Sequence, residues 1–446
     1  MKSILLLVFI FSSVALFSQA KKAPVVEEMD TKESLHPINN APHNVIKMGA
    51  FIDTYYSHNL NKPNVTERNY TTQAVRNDEF NVNLAHIDAK VETENVRGRV
   101  ALQVGTSVNA NYLPETSNQR TSNQVSVRNI QEAYAGIRIA KNTWLDGGIY
   151  FGHIGFESWI SGNNWMYTRA LVLDYVPYYS AGFRLSHDIS DKLKVQFHLM
   201  NGWSIITDNN KNKSVGMQIY YKPVPHLSFT YNIFVGNEIA TSTSTLTSGQ
   251  VIVEPKGNER QTRYYQNYIT HYDVTSKFSV AASFDIGFQR NPTKGEYNPI
   301  LTNLSSSLYN YNFGSAYVTK ESSDSYKQWH NGTVWVTYKF LPEWRISGRL
   351  ERYTDREFAN VPLARKSDIY NRTPYVETEK AGYKVQNGFQ VSAASICLDY
   401  IVSEMAMFRM EGKVLKSLDP LFDYRNSNDL SRFERILVTA ITIKFE

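Results

Sequence analysis

The chain has 446 residues and is 13% aromatic, with 29 Tyr and 22 Phe, yet its mean hydropathy is −0.39. Its formal net charge of +5, or +4 once Lys2 leaves with an export signal, is too mild to argue for nucleic acid, and no block of like charge stands out. After residue 20 no uncharged apolar run approaches the ~18 residues of a membrane helix, and the single cysteine, Cys397, has no disulfide partner and no zinc-type spacing around it.

Residues 1–20 place Lys2 before an apolar core from Ile4 to Phe17, then Ser18 and Ala20 at the small-residue positions of a cleavage site. This is the pattern of a secretory signal peptide, and no Cys follows the core to take a lipid anchor. Residues 21–46, with Pro24, Pro37 and Pro42, read as a short periplasmic tail or linker, too few for a plug domain. From Lys47 to Glu446 the sequence alternates without a domain break. In 192–202, Leu193, Val195, Phe197 and Leu199 share one face and Lys194, Gln196 and His198 the other. The same period orders Leu227 to Val235 and Phe278 to Phe288. Alternation over ~10 residues fits a barrel wall, whereas sandwich strands average about 5–6.

The expected strands are 47–58, 78–91, 95–108, 127–139, 143–152, 178–187, 192–202 and 214–222 in the first half. The second half reads 225–235, 261–274, 277–288, 328–340, 343–354, 386–400, 404–415 and 432–446. Strand 78–91 changes phase near Ala85 and strand 386–400 near Ile396, as a bulge or a misplaced boundary would produce. Short links such as 140–142, 222–226 and 340–343 alternate with long ones such as 59–76, 109–126, 153–177, 289–327 and 355–385. Short periplasmic turns and long extracellular loops give that rhythm. The fold expected is all-β, a closed antiparallel transmembrane barrel of about 16 strands, a size whose interior is an aqueous channel.

Three segments carry a family resemblance: GAFIDTYYSHNLNKP, FNVNLAHIDAKVE, and Trp159 to Asn212 with NNW, YTR, GFRL, SDKL, NGW and DNNK in order. They resemble the putative β-barrel porin-2 (OmpL-like) family of bacterial outer-membrane proteins, most densely from Asp53 to Glu238. The resemblance implies a porin-like barrel in the outer membrane of a Gram-negative bacterium, and neither a known solute nor a catalytic residue. The last segment, RILVTAITIKFE, looks like the terminal strand read by barrel-assembly machinery, although Glu446 follows the aromatic that usually ends it.

In porins of this size the third extracellular loop commonly folds inward and narrows the pore. Here that loop, about 153–177, holds Glu157, Trp159, Trp165, Tyr167, Arg169 and Asp174. Facing charges across a constriction select ions, and Arg169 is the leading candidate. The same composition also suits an ordinary packed surface loop. Opposite the apolar strand faces stand Arg97, Arg99, Arg138, Arg184, Lys194, Lys339, Arg345, Arg349, Arg409 and Lys413, against fewer acids: Glu132, Asp146, Asp285, Glu351 and Glu411. Such a lumen favours anions mildly, unless the charges pair along the wall.

Scattered histidines and the absence of HExxH, EF-hand and phosphate-loop motifs give no catalytic, metal or cofactor assignment. The reading is a passive porin for small hydrophilic solutes or ions. The alternative is a non-conducting surface barrel acting in adhesion or scaffolding through its loops. Outer-membrane lipid and the assembly machinery are the expected partners, with a homotrimer as the common assembly at this strand count.

Overall fold

A computed structural model describes residues 46–112, 115, 127–208, 210, 212–238, 242–246, 249–253, 262–290, 326–357, 359–361 and 387–445. The segments expected as signal peptide and, nearly all of it, tail, together with most of the loops expected at 109–126, 289–327 and 355–385, lie outside these residues.

Two-residue alternation sends the chain into β1 (Ile46–Asn59), β2 (Phe80–Glu92), β3 (Val96–Val104), β4 (Ile130–Ala140), β5 (Thr143–Phe151), β6 (Tyr179–Ser190), β7 (Leu193–Met200) and β8 (Ser214–Val224). It continues through β9 (Leu227–Asn237), a small hairpin of β10 (Ser242–Leu246) and β11 (Gly249–Val253), then β12 (Thr262–Asp273), β13 (Phe278–Arg290), β14 (Tyr326–Leu341) and β15 (Trp344–Asp355). The chain finishes with β16 (Phe389–Ser403), β17 (Ala406–Ser417), a second hairpin of β18 (Phe422–Tyr424) and β19 (Asn426–Ser431), and β20 (Phe433–Phe445). Leaving out the two hairpins, sixteen antiparallel strands pair in chain order, and β20 returns to β1 through Ile443↔Ile52 and Thr439↔Tyr56. Closure removes every sheet edge, which a lipid-embedded backbone requires because no water meets unpaired N–H and C=O groups.

Seven short turns, 93–95 through 404–405, lie at one end, and the long connections lie at the other, as the link lengths imply. The outer surface is inside-out relative to a soluble protein. On β7, Phe197 is 50% exposed while the lumen-facing His198 is 4% exposed. In a bilayer that outer face meets hydrocarbon. One outward polar group breaks the pattern on β12: Gln266 Oε1 accepts the hydroxyls of Tyr231 (3.0 Å) and Tyr268 (2.6 Å), whose rings stack at 4.7 Å.

Two local expectations change. β3 ends at Val104 rather than 108, because Gly105 turns at φ 141° into a short helix, α1 (Thr106–Asn111). A side chain at Gly105 would lie 2.3 Å from the Asn83 carbonyl oxygen. The phase change near Ala85 is a bulge at Asn83, since Asp53 pairs with Leu84 and Thr54 with Val82. No register break occurs at Ile396: Val391, Ala393, Ser395, Cys397 and Asp399 all face inward. The apparent phase change there comes from Val391, an apolar residue that faces the lumen because other buried apolar groups cover it.

Candidate functional site

The loop between β5 and β6, L3 (residues 152–178), turns into the barrel. Its base is closed by Gly152 N–H donating to the Tyr178 carbonyl (2.7 Å). Gly155, at φ 99°, makes the turn inward, and a Cβ there would strike Leu173 at 2.2 Å. Within L3 the Asn164 side chain accepts from Ser158 N–H (2.7 Å) and donates to its carbonyl (2.9 Å), clamping the tip.

L3 is apolar enough to form a core of its own. Phe156, Trp159, Trp165, Met166, Leu171 and Leu173 are buried against inward wall residues that include Phe51, Trp335 and Val438. The Phe156 and Trp335 rings sit 4.9 Å apart. Desolvating each such side chain contributes about 1.5–3 kcal/mol to holding the loop inside.

Charged residues of the wall, with Glu157 of L3, then fasten the loop backbone. Glu157 accepts from Ala170 N–H (2.7 Å), Trp335 Nε1 (2.9 Å) and Arg349 Nη1 (2.9 Å). Arg349 also donates to Glu351 (2.8 Å) and to the Thr168 carbonyl (2.6 Å). Glu411 accepts the N–H groups of Tyr167 and Thr168, both at 2.8 Å, together with the Thr168 hydroxyl. Glu351 takes Leu171 N–H (2.5 Å), and Lys413 donates to the Arg169 carbonyl (3.0 Å). Arg345 and Arg409 share Asp399, and Arg409 reaches on to the carbonyls of Ser161 (2.7 Å) and Asn164 (2.9 Å).

On β1 and β3, Asp53 accepts the hydroxyls of Tyr167 (2.8 Å) and Ser161 (2.7 Å), and Trp159 Nε1 donates to Gln103 (3.0 Å). Asp174 ties L3 to the first loop through Thr72 N–H (3.1 Å) and its hydroxyl (2.5 Å). Burial pushes the Asp174 carboxyl up to about 6.

All six loop residues singled out in the sequence are thus buried. Arg169, expected to face permeating ions, is 1% exposed. Its guanidinium donates to the carbonyls of Trp159 and Tyr167, so it braces the loop's own backbone.

All the remaining cationic candidates but Lys339 line a different wall, where Lys90 joins them. On β2 to β7, Lys90 pairs with Glu92 and Lys194 with Asp188, both at 3.7 Å, and Arg99 sits between Asp88 (3.1 Å) and Glu132 (2.8 Å). Asp146 is shared by Arg97 (2.6 Å) and Arg184 (2.9 Å). Trp144 is covered by the guanidinium groups of Arg97 at 4.6 Å and Arg138 at 5.2 Å. Lys339, beside Arg345 across the β14–β15 pair, is half-buried. Among the described residues no group of three or more His, Cys, Asp or Glu side chains is placed to hold a metal ion.

Several anchors were missed from the sequence: Asp53, Gln103, Asp399 and the inward apolar residues Phe51, Ile436 and Val438. A signal for the last two exists. In the run Ile436–Leu437–Val438 both faces of β20 are apolar, which marks a strand covered on two sides.

A closed sixteen-stranded barrel with a loop drawn across its lumen defines an outer-membrane barrel of porin type. The chain belongs to the family described as "Putative beta-barrel porin-2, OmpL-like", which matches residues 45–445. Among solved structures, Pseudomonas putida OprB is similar at 10% identity and a TM-score of 0.51, over 90% of this chain and 94% of that one. Vibrio cholerae OmpT is similar at 7% identity and a TM-score of 0.50, over 92% and 100%. These likenesses establish the fold alone. No curated protein matches the sequence.

Proposed function

We propose that the barrel conducts small hydrophilic solutes and ions passively, with L3 as its constriction and a mild preference for anions. The observation that carries this reading is L3 itself, which starts from β5 and is bonded across the barrel to β14, β15 and β17, and to β1 and β3 as well. Membership of a porin-like family supports a channel over an enzyme. The lumen cations on β3 to β6 support the anion preference. We place the barrel in outer-membrane lipid, delivered by assembly machinery that reads β20, and read a homotrimer as its assembly.

Reconstitution in a planar bilayer tests this. Discrete current steps are expected, grouped in threes if the assembly is trimeric, with a reversal potential displaced toward anions in a salt gradient. A barrel that passes no current rejects the reading and leaves a surface scaffold or adhesin. That second reading draws on the loop end of the lumen, where Arg263, Trp329, Tyr353 and Phe389 are buried.

A further inference from the structure

We infer that Arg138 forms an oxyanion subsite at the short-turn mouth of the lumen, receiving the carboxylate or phosphate group of a small solute. The inference rests on the channel reading and gives it a binding residue and a ligand class.

Arg138 lies two residues before the end of β4, on its lumen face beside the 141–142 turn, and remains half-buried. Every other Lys or Arg turned to the lumen on β2 to β7 has a carboxylate within 4 Å. Among the described residues Arg138 has none, so six bases there meet five acids and Arg138 is the surplus. Nor do its Nε and Nη2 find a hydrogen-bond acceptor among the described residues, although both are shielded from solvent. A secluded polar group left this way in a native fold usually marks an ion or water that belongs there.

The edge left free identifies the ligand. Nε and Nη2 form the two-pronged side of a guanidinium, which takes two oxygens of one group at once. On the neighbouring strand Arg97, which pairs with Gly136 two residues from Arg138, uses that same edge on Asp146, at 2.7 and 2.6 Å. Arg138 presents the edge without the carboxylate. Trp144 supports its face from one side, and Arg97 and Arg184, already committed to one aspartate between them, leave the local field positive. A monatomic anion would answer the charge but not the fork. A carboxylate or phosphate answers both.

The test titrates the reconstituted channel from the short-turn side with potassium acetate or potassium phosphate at fixed chloride. Saturable reduction of the chloride current is expected, and the salt with the lower midpoint identifies the preferred group. Arg138→Gln should raise that midpoint about tenfold. Arg138→Lys, which keeps the charge and loses the fork, should raise it nearly as far. Equal midpoints in wild type and Arg138→Gln overturn the site, and a normal midpoint in Arg138→Lys reduces it to a field effect and overturns the fork. Should the wild type pass no current, the channel reading fails by itself. The site is then read in detergent as a rise in melting temperature with acetate or phosphate over chloride, lost in Arg138→Gln. A rise unchanged in that variant also overturns it.

Discussion

Two walls of one lumen use arginine in opposite ways. On β15 to β17, Arg345, Arg349, Arg409 and Lys413 meet Asp399, Glu351 and Glu411 together with Glu157 of L3, and all are buried with their hydrogen bonds spent on one another and on the loop backbone. On β3 to β6, Arg97 and Arg184 keep 15% and 17% side-chain exposure, lean on aromatic rings and share a single aspartate. The first wall is neutral, four bases to four acids, and works as a fastener. The second is cationic and faces the lumen. Identical residue types at identical strand spacing thus serve adhesion in one place and electrostatics in another, and the loop decides which.

The largest effect should follow from Arg349→Met. It removes the cation common to Glu157 and Glu351, with Glu411 3.8 Å away, and leaves buried carboxylates facing each other. A loss of about 3–5 kcal/mol is expected, read as a lower denaturation midpoint, with noisier and larger channel openings as L3 loosens. An unchanged midpoint would mean the pairs do not hold the loop. Next comes Gly155→Ala at the inward turn, where strain and the Leu173 contact should cost about 1–3 kcal/mol and also raise conductance.

The cationic wall should respond differently. Asp146→Asn leaves Arg97 and Arg184 without their carboxylate, so the reversal potential should move further toward anions, and less so at high salt. Stability should fall by about 1–3 kcal/mol. A stability loss as large as that of Arg349→Met, with no change in selectivity, would erase the distinction between the walls.

The smallest effect belongs to Asp174. Burial pushes its carboxyl up to about 6 from 3.8, so L3 keeps Asp174 buried at no charge cost below the ordinary value and loses that stability as pH rises through about 6, even though the ionised form accepts more strongly from Thr72. Asp174→Asn keeps an acceptor for Thr72 and should flatten the pH dependence of loop opening noise between about pH 4 and 7. A slope that survives the change assigns it to another group.

The barrel was legible because lipid-facing and lumen-facing residues alternate with period two, so Leu193 to Leu199 declare their face without any tertiary information. The strand spans read from the sequence agree with the structure except where the chain leaves the ladder. Gly105 and the Asn83 bulge are set by the close approach of two backbones, and no single strand records that. L3 is harder still. Its composition showed charge among aromatics, but the partners that fix its position, Asp53, Gln103, Arg349 and Glu411, are more than 50 residues away in sequence. Arg169 illustrates the limit. A charge in a loop suggests exposure, whereas here two carbonyl groups of the loop itself hold it, and only the folded path of the chain brings them together.

L3 turns into the lumen and, as the proposed constriction, should limit what passes. Single-channel recording of the wild type beside a variant in which residues 157–174 are replaced by a short Gly-Ser link tests it most directly. Several-fold larger unitary conductance is predicted for the variant, in a barrel that still assembles and resists denaturation. Equal conductance from both proteins would rule L3 out as the constriction and place it elsewhere.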